Sequence, residues 1–236
     1  MTNTNAQIAP RDESVRIECR DFDVHALSIP AGAFTGDFFF VQRQSDDLWI
    51  ALGDVAGKGL HAAVFMAMLQ EELEHRISSC ALTGCDPAVT MARLHEVLRD
   101  VLPVNRFVTA VIARVSADGT LLMANAGHCP PLLQRSDGRI EQIDSTGPAL
   151  GILPNSRWHS RASRLDRGDA LLLYSDGLVE ARSSDGEEFG LLSARNVLSF
   201  ARGASACQIA GSLRAAVDRH SGGVRSDDLT LLALRA

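Results

Sequence analysis

The sequence has no CxxC pair. Its five cysteines, Cys19, Cys80, Cys85, Cys129 and Cys207, are odd in number and scattered. That argues against a disulfide framework and against a zinc site built of thiolates. Reduced core or surface thiols in a cytosolic protein are the expectation. The first twelve residues are polar and lack an apolar segment, so no secretory signal is read there. No uncharged apolar run is long enough to span a bilayer. A soluble, cytoplasmic protein with no membrane partner is expected. Basic surplus is missing too: the formal net charge is −6, which disfavours a nucleic-acid partner, since phosphate backbones attract basic surfaces. Beyond residue 14 there is no linker, repeat or low-complexity stretch.

What is present is ordinary globular material: 236 residues, 46% hydrophobic and 22% charged. That is enough chain to bury a sizeable core. The expected organisation is a loose N-terminal tail over residues 1–14 and one domain over 15–236.

Two central helices are legible. After Gly59, Ala62, Phe65, Met66, Leu69, Leu73 and Ile77 fall on one helical face. Asp86-Pro87 reads as an N-cap followed by proline at the first helical position, and Leu94, Val97, Leu98 and Val101 form the second apolar face. Segments 190–202 and 206–220 read as two later helices. Strands are expected at Phe38–Gln42, Leu48–Val55, Phe107–Val115, Leu121–Asn125, Leu132–Gln134, Arg139–Ile143, Ala170–Tyr174 and Leu229–Leu234. Ala117-Asp118-Gly119 and Asp137-Gly138 are hairpin signals, and tight hairpins join antiparallel neighbours. The fold class is therefore α+β, with helices packed on the faces of mainly antiparallel sheets.

Chemistry concentrates in aspartates that sit where strands end in glycine-containing turns: Thr35-Gly36-Asp37, Gly53-Asp54-Val55, Ser175-Asp176-Gly177 and Ser226-Asp227-Asp228. One such Asp is ordinarily a turn residue bonded to its own backbone. Four of them suggest carboxylate ligands for Mg²⁺ or Mn²⁺, hard cations that prefer oxygen. Acids gathered at one sheet rim repel unless a cation lies between them. The segment Gly53-Asp54-Val55-Ala56-Gly57-Lys58-Gly59 has a rival reading as a phosphate loop. It lacks the spacing of a Walker A motif and the hydroxyl that follows its lysine. A nucleotide-triphosphate site is accordingly disfavoured.

Five blocks carry a family resemblance: Gly36-Asp37-Phe38-Phe39, the 53–59 segment leading into a helix, Asn125-Ala126-Gly127-His128, Ser175-Asp176-Gly177-Leu178-Val179-Glu180-Ala181, and Asp227-Asp228-Leu229-Thr230. In order and spacing the chain resembles the SpoIIE/RsbU branch of the PPM phosphatases, relatives of the type 2C serine/threonine phosphatases. The likeness runs from about residue 22 to the C-terminus. It implies a layered αββα sandwich and a site for two Mn²⁺ or Mg²⁺ ions, with room for a third. Asp54 would bridge the two ions and the Val55 carbonyl would join it. Asp176 and Asp227 would hold one ion, with Asp37 on the side of the other. The implied chemistry is in-line attack on phosphorus by a water acidified between the cations. It needs no nucleophilic side chain, which suits the absence of CxxxxxR and GxSxG motifs. The chain departs from the family pattern at Thr35, Phe40 and Ala56, where the branch more often has Gly, Asp and Ser.

Other residues are assigned plainer expectations. Asp228 is read as a structural neighbour of the ligand Asp227. His128 is expected to hold the turn before Pro130-Pro131, with ligation or proton transfer as the alternative. Lys58 is expected to be solvated, the alternative being attraction of a phosphate. His61 is read as a surface residue, and Glu180 and Arg182 as fixing local structure. Met66, Met68 and Phe38–Phe40 are expected in the core.

The function the resemblance implies is hydrolysis of phosphoserine or phosphothreonine on a bacterial signalling protein. In this branch that is usually a phosphorylated STAS-type anti-sigma-factor antagonist, opposed by a kinase. Control is expected from a regulatory protein, from expression, or from the two central helices, and the protein is expected to be a monomer or a homodimer. The competing reading is a phosphatase fold that binds a phosphoprotein without turnover; the complete set of acids argues against it.

Overall fold

A computed structural model of the chain describes residues 13–19, 22–57, 59–79, 85–103 and 105–236. Most of the expected tail, residues 1–12, lies outside these, as does Lys58. Glu13 and Ser14, expected in the tail, already belong to a strand. That strand, β1 (Glu13–Cys19), pairs in register with β2 (Phe22–Ile29).

Eleven strands form two antiparallel sheets among the described residues. The first runs in the order β1, β2, β11 (Leu229–Arg235), β10 (Ala170–Tyr174), β7 (Leu132–Gln134), β8 (Ile140–Gln142). The second runs β3 (Asp37–Gln44), β4 (Asp47–Val55), β5 (Val108–Val115), β6 (Thr120–Ala126), β9 (Arg161–Arg164). The sheets pack face to face. Leu48, Ile50 and Leu52 of β4 meet Leu232 and Leu234 of β11 in one apolar layer. The outer face of the second sheet is covered by α1 (Leu60–Ser79) and α2 (Pro87–Val101), through Met66, Leu69, Leu73, Leu94 and Leu98. The outer face of the first is covered by α3 (Gly190–Phe200) and α4 (Ala206–Ser221). The architecture is the expected αββα sandwich.

Local chemistry sets the helix ends. Asp86 caps α2 by accepting from Ala88 N at 2.8 Å, with Pro87 in the first turn. Ser205 and Gln208 form a reciprocal capping box at the start of α4, and Gly222 ends that helix in the left-handed region at φ 62°. Loss of the Ser205 cap should cost about 1 kcal/mol, so Ser205→Ala should lower the denaturant midpoint modestly and leave the m-value alone.

Several expectations need correction. Strands β1, β2 and β9 are not apparent from strand and turn signals. Met68 is 37% exposed and Val101 42%, although each continues an apolar helical pattern. Cys85 is disulfide-bonded, while Cys129 and Cys207 are free. A cysteine count does not report proximity, and proximity decides whether a bridge forms.

Candidate active site

Side chains alternate along a strand, so register decides which aspartates meet. Asp37 lies directly opposite Asp54 in the β3–β4 ladder, and Thr109 of β5 lies opposite Asp54 on its other side. Asp54 shares the parity of Leu48, Ile50 and Leu52, which point between the sheets. These three polar residues therefore form a row at one end of the inter-sheet layer. From the first sheet, Ser28, Thr230 and Ser175 reach the same end, each in register with interior residues of its strand. Ser28 Oγ and Thr230 Oγ1 are 3.1 Å apart, and Thr230 N donates to Ser175 Oγ at 2.9 Å. The interior between the sheets is apolar along its length and polar at this end.

Asp37 is 4% exposed, and its Oδ2 has no hydrogen-bond partner among the described residues. Burial, then the Asp54 charge opposite, holds its carboxyl well above the usual carboxylate range. The Thr230 and Ser175 hydroxyls pull the other way, and Asp228 adds to the rise. Like charges facing each other across a ladder are destabilising. This pair is therefore a place where a cation would relieve stored repulsion.

A cleft of about 380 Å³ opens at this end of the sandwich, lined by Gly36, Asp54, Gly57, Arg225, Asp227 and Asp228, with Phe34 on the same wall. Asp37 sits next to Gly36, buried. Asp176 begins a 3₁₀ turn, Asp176–Leu178, straight after β10. The charges of Asp176 and Asp227 both raise Glu180, after burial as the main cause. Burial first, then Asp176, Glu180 and Asp37, pushes the Cys129 thiol up to about 12, so Cys129 is no nucleophile. The β3–β4 register, the cleft lining and the approach of Gly177 to Asp228 bring Asp37, Asp54, Asp176 and Asp227 to one end of the sheets. Among the described residues, no group of three or more His, Cys, Asp and Glu side chains is already arranged to hold an ion.

Two glycines explain the closeness of the parts. A Cβ at Gly36 would stand 2.9 Å from both Asp54 Oδ1 and the Val55 carbonyl oxygen. Two of the expected ligand oxygens thus share the space over one Cα. A Cβ at Gly177 would stand 2.0 Å from the carbonyl oxygen of Asp228, so Gly177 lets the turn carrying Asp176 lie against the segment carrying Asp227. Asp228 is committed elsewhere. Its Oδ1 accepts from Ala31 N at 2.7 Å and its Oδ2 from Gly36 N at 3.2 Å. It fastens the 30–36 loop to the start of β11.

His128 ties the two sheets together. Its Nε2 donates to the Tyr174 carbonyl at 3.2 Å, because a carbonyl only accepts, and its Nδ1 then accepts from the Thr109 hydroxyl at 2.8 Å. Asn125 braces the turn by accepting from His128 N and donating to His128 O. Burial depresses His128 to about 4. The unfolded chain takes up this proton near pH 6.5, whereas the folded one resists until about 4. Stability is therefore full above the unfolded value and falls as pH drops through that window, by about 3 kcal/mol in all. Denaturant titrations from pH 7 to 4.5 should show His128→Gln losing less stability on acidification than the parent; equal slopes would remove His128 from this account.

The remaining expectations divide. His61 is exposed, and Arg182 pairs with Glu188 and bonds the Gly186 carbonyl, a local fastening. The hydroxyl row of Ser28, Thr109, Ser175 and Thr230 is absent from the sequence reading. Its signal is a polar residue at interior parity in an apolar strand, visible only once register is known. Arg225 and Phe34, on the cleft wall, carry no sequence signal.

A family model described as Stage II sporulation protein E (SpoIIE) matches residues 44–236. The phosphoserine phosphatase RsbU of Bacillus subtilis (strain 168) is 29% identical over 166 residues, which are 70% of this chain and 48% of that protein. The chain thus spans about half the length of that relative. The structure of the RsbU and RsbW domains of Rv1364c from Mycobacterium tuberculosis aligns with a TM-score of 0.78 at 25% identity, over 96% of this chain and 61% of that one. The catalytic domain of the serine/threonine phosphatase PstP, in complex with two manganese ions, shares the fold with a TM-score of 0.66 at 18% identity, over 91% of this chain and 97% of that one. With the match running from Gln44, where β3 ends, to the last residue over an αββα sandwich, the chain belongs to the SpoIIE family, within the SpoIIE/RsbU branch of the PPM phosphatases.

Proposed function

We propose that this chain, from β1 onward, forms a metal-dependent protein serine/threonine phosphatase acting on a phosphorylated bacterial signalling protein. The observation that carries this reading is the convergence of Asp54 Oδ1 and the Val55 carbonyl over Gly36, beside the buried, unpartnered Oδ2 of Asp37. This is an oxygen-only donor set, of the kind that suits Mg²⁺ or Mn²⁺. Manganese bound to the PstP catalytic domain supports the same metal chemistry in this fold.

Asp54 and the Val55 carbonyl would hold two ions jointly, Asp176 and Asp227 one of them, and Asp37 would lie beside the other. Once bound, the ions would supply an activated water and neutralise charge on the phosphoryl oxygens. The chain's own part is to fix these oxygens on strand ends, where the ladder leaves them little freedom. Gly36 leaves the space over its Cα to the Asp54 and Val55 oxygens, and Gly59, on the cleft lining, has nothing within 4 Å of its Cβ position. Asp228 fastens the 30–36 loop in place as part of the cleft wall. His128 has its nitrogens engaged by Thr109 and Tyr174, so its role is to join the sheets.

The substrate is proposed to be a STAS-type anti-sigma-factor antagonist carrying phosphoserine or phosphothreonine. The likeness to RsbU, and to a protein in which an RsbU domain is joined to an RsbW domain, supports this. The test is release of phosphate from such a phosphoprotein with Mn²⁺ or Mg²⁺. Activity that is lost in chelator and restored by metal is expected. A chain inactive with every divalent cation, yet binding the phosphoprotein, would establish the non-catalytic binding module instead.

A further inference from the structure

The acidic cleft has one cation among the described residues that line it, Arg225. We propose that Arg225 is a substrate-binding residue, whose guanidinium holds the non-bridging oxygens of the phosphoryl group as it enters beside Asp54 and Asp227. This deepens the phosphatase reading and rests on it.

Placement is the first support. Arg225 stands two residues before Asp227, on the segment that leads from α4 into β11. That segment is held firmly. The Asp218 carbonyl accepts from Gly222 N and from Gly223 N, the latter at 2.9 Å, and Val224 N donates to the Ser221 carbonyl at 3.2 Å. The side chain is held as well: Nη2 donates to Asp218 Oδ1 at 2.5 Å, and the side chain is only 14% exposed. A guanidinium carries five N–H donors. The bond to Asp218 occupies one edge and aims the rest of the planar fork, the shape that meets phosphate with two parallel bonds.

Charge is the second support. A phosphorylated side chain brings about two negative charges into a cleft already lined by Asp54, Asp227 and Asp228. Metal ions would answer the charge at the reacting centre, while the cleft wall would still repel the incoming group. Arg225 supplies the opposite sign on that wall. The plainer alternative is that Arg225 only fastens the end of α4. Asp218 also pairs with Arg214 at 3.6 Å, so the end of α4 keeps an ion pair without Arg225, and phosphate affinity separates the two roles.

The experiment uses the full chain loaded with Mn²⁺. Arg225→Ala and Arg225→Lys are compared for hydrolysis of a phosphoserine peptide and of p-nitrophenyl phosphate, and for inhibition by inorganic phosphate. Arg225→Ala should raise KM for both substrates and weaken phosphate inhibition by about ten- to hundredfold. Arg225→Lys should recover part of this, and Mn²⁺ affinity by calorimetry should stay within about twofold of the parent. Asp218→Asn should move KM in the same direction, less far. Unchanged KM and phosphate inhibition in Arg225→Ala would overturn the proposal and leave the phosphatase reading standing. A fall in Mn²⁺ affinity that accounts for the change in KM would overturn it too, since Arg225 would then act on the acids. If the parent shows no turnover, the phosphatase reading fails, and direct titration of inorganic phosphate still decides: binding lost in Arg225→Ala supports the anion site, and equal binding, or none by either protein, overturns it.

Discussion

Asp54→Asn should lower metal-dependent phosphate release by at least about a hundredfold, equivalent to about 2.7 kcal/mol of lost transition-state stabilisation. The substitution keeps the size of the side chain and removes the charge that would be shared between two cations. Asp54 is the central acid of the row, facing Asp37 on one side and Thr109 on the other. No neighbour can replace its Oδ1 beside the Val55 carbonyl, because only the bare Cα of Gly36 leaves room there. Phosphate release across a Mn²⁺ titration measures the effect. Full activity in Asp54→Asn would show that the reaction centre lies elsewhere.

A companion measurement separates ligand loss from misfolding. Asp37 is buried opposite Asp54, with its carboxyl held well above the usual range by burial first and by Asp54 second. Such a group contributes stability in full below its unfolded value, and that contribution is lost as pH rises through the folded one. In chelator at neutral pH, Asp37→Asn should therefore be more stable than the parent. With saturating Mn²⁺ the order should reverse, since the parent gains the free energy of binding. A variant less stable than the parent under both conditions would mean that Asp37 serves the fold alone.

The second large effect is structural. Gly177→Ala should destabilise the protein by about 3 kcal/mol or more, the upper range for forcing extra volume into a packed site. The added Cβ would meet Asp228 O at 2.0 Å and Asp228 C at 2.8 Å. Both are backbone atoms at the start of β11, so no side-chain rotation relieves the clash. The turn carrying Asp176 would have to leave the segment carrying Asp227, and activity should fall with stability. Gly211→Ala is the control. It lies within α4, has nothing within 4 Å of its Cβ position, and should be stabilised by roughly 0.5–1 kcal/mol. Thermal unfolding of the two variants should shift in opposite directions; equal shifts would show that steric closeness at Gly177 is not the cause.

Much of this was legible before any coordinates. The 3.6-residue apolar spacing of α1 and α2, the Asp86-Pro87 start, the DG hairpins and the short apolar runs at 170–174 and 229–234 each follow from local rules, and the elements sit within a few residues of their expected bounds. Strands β1, β2 and β9 escaped. β9 is largely exposed, and the two residues between β1 and β2, Arg20-Asp21, include no glycine or proline to signal a hairpin. The acids were legible as types at strand ends, with order and spacing matching a family.

What the sequence determined, then, is which residues form which elements and which residue types could carry the chemistry, because periodicity and turn propensity act over a few residues at a time. Tertiary structure decided what meets what. It set Asp37 across from Asp54, brought Gly177 against Asp228, sealed Ser28, Ser175 and Thr230 at the polar end of the inter-sheet layer, and turned Arg225 into an acidic cleft. Those relations join residues up to about two hundred positions apart, such as Ser28 with Thr230. They exist only once strand pairing fixes register and burial fixes which face looks inward, and neither quantity is stored in any local stretch of the chain.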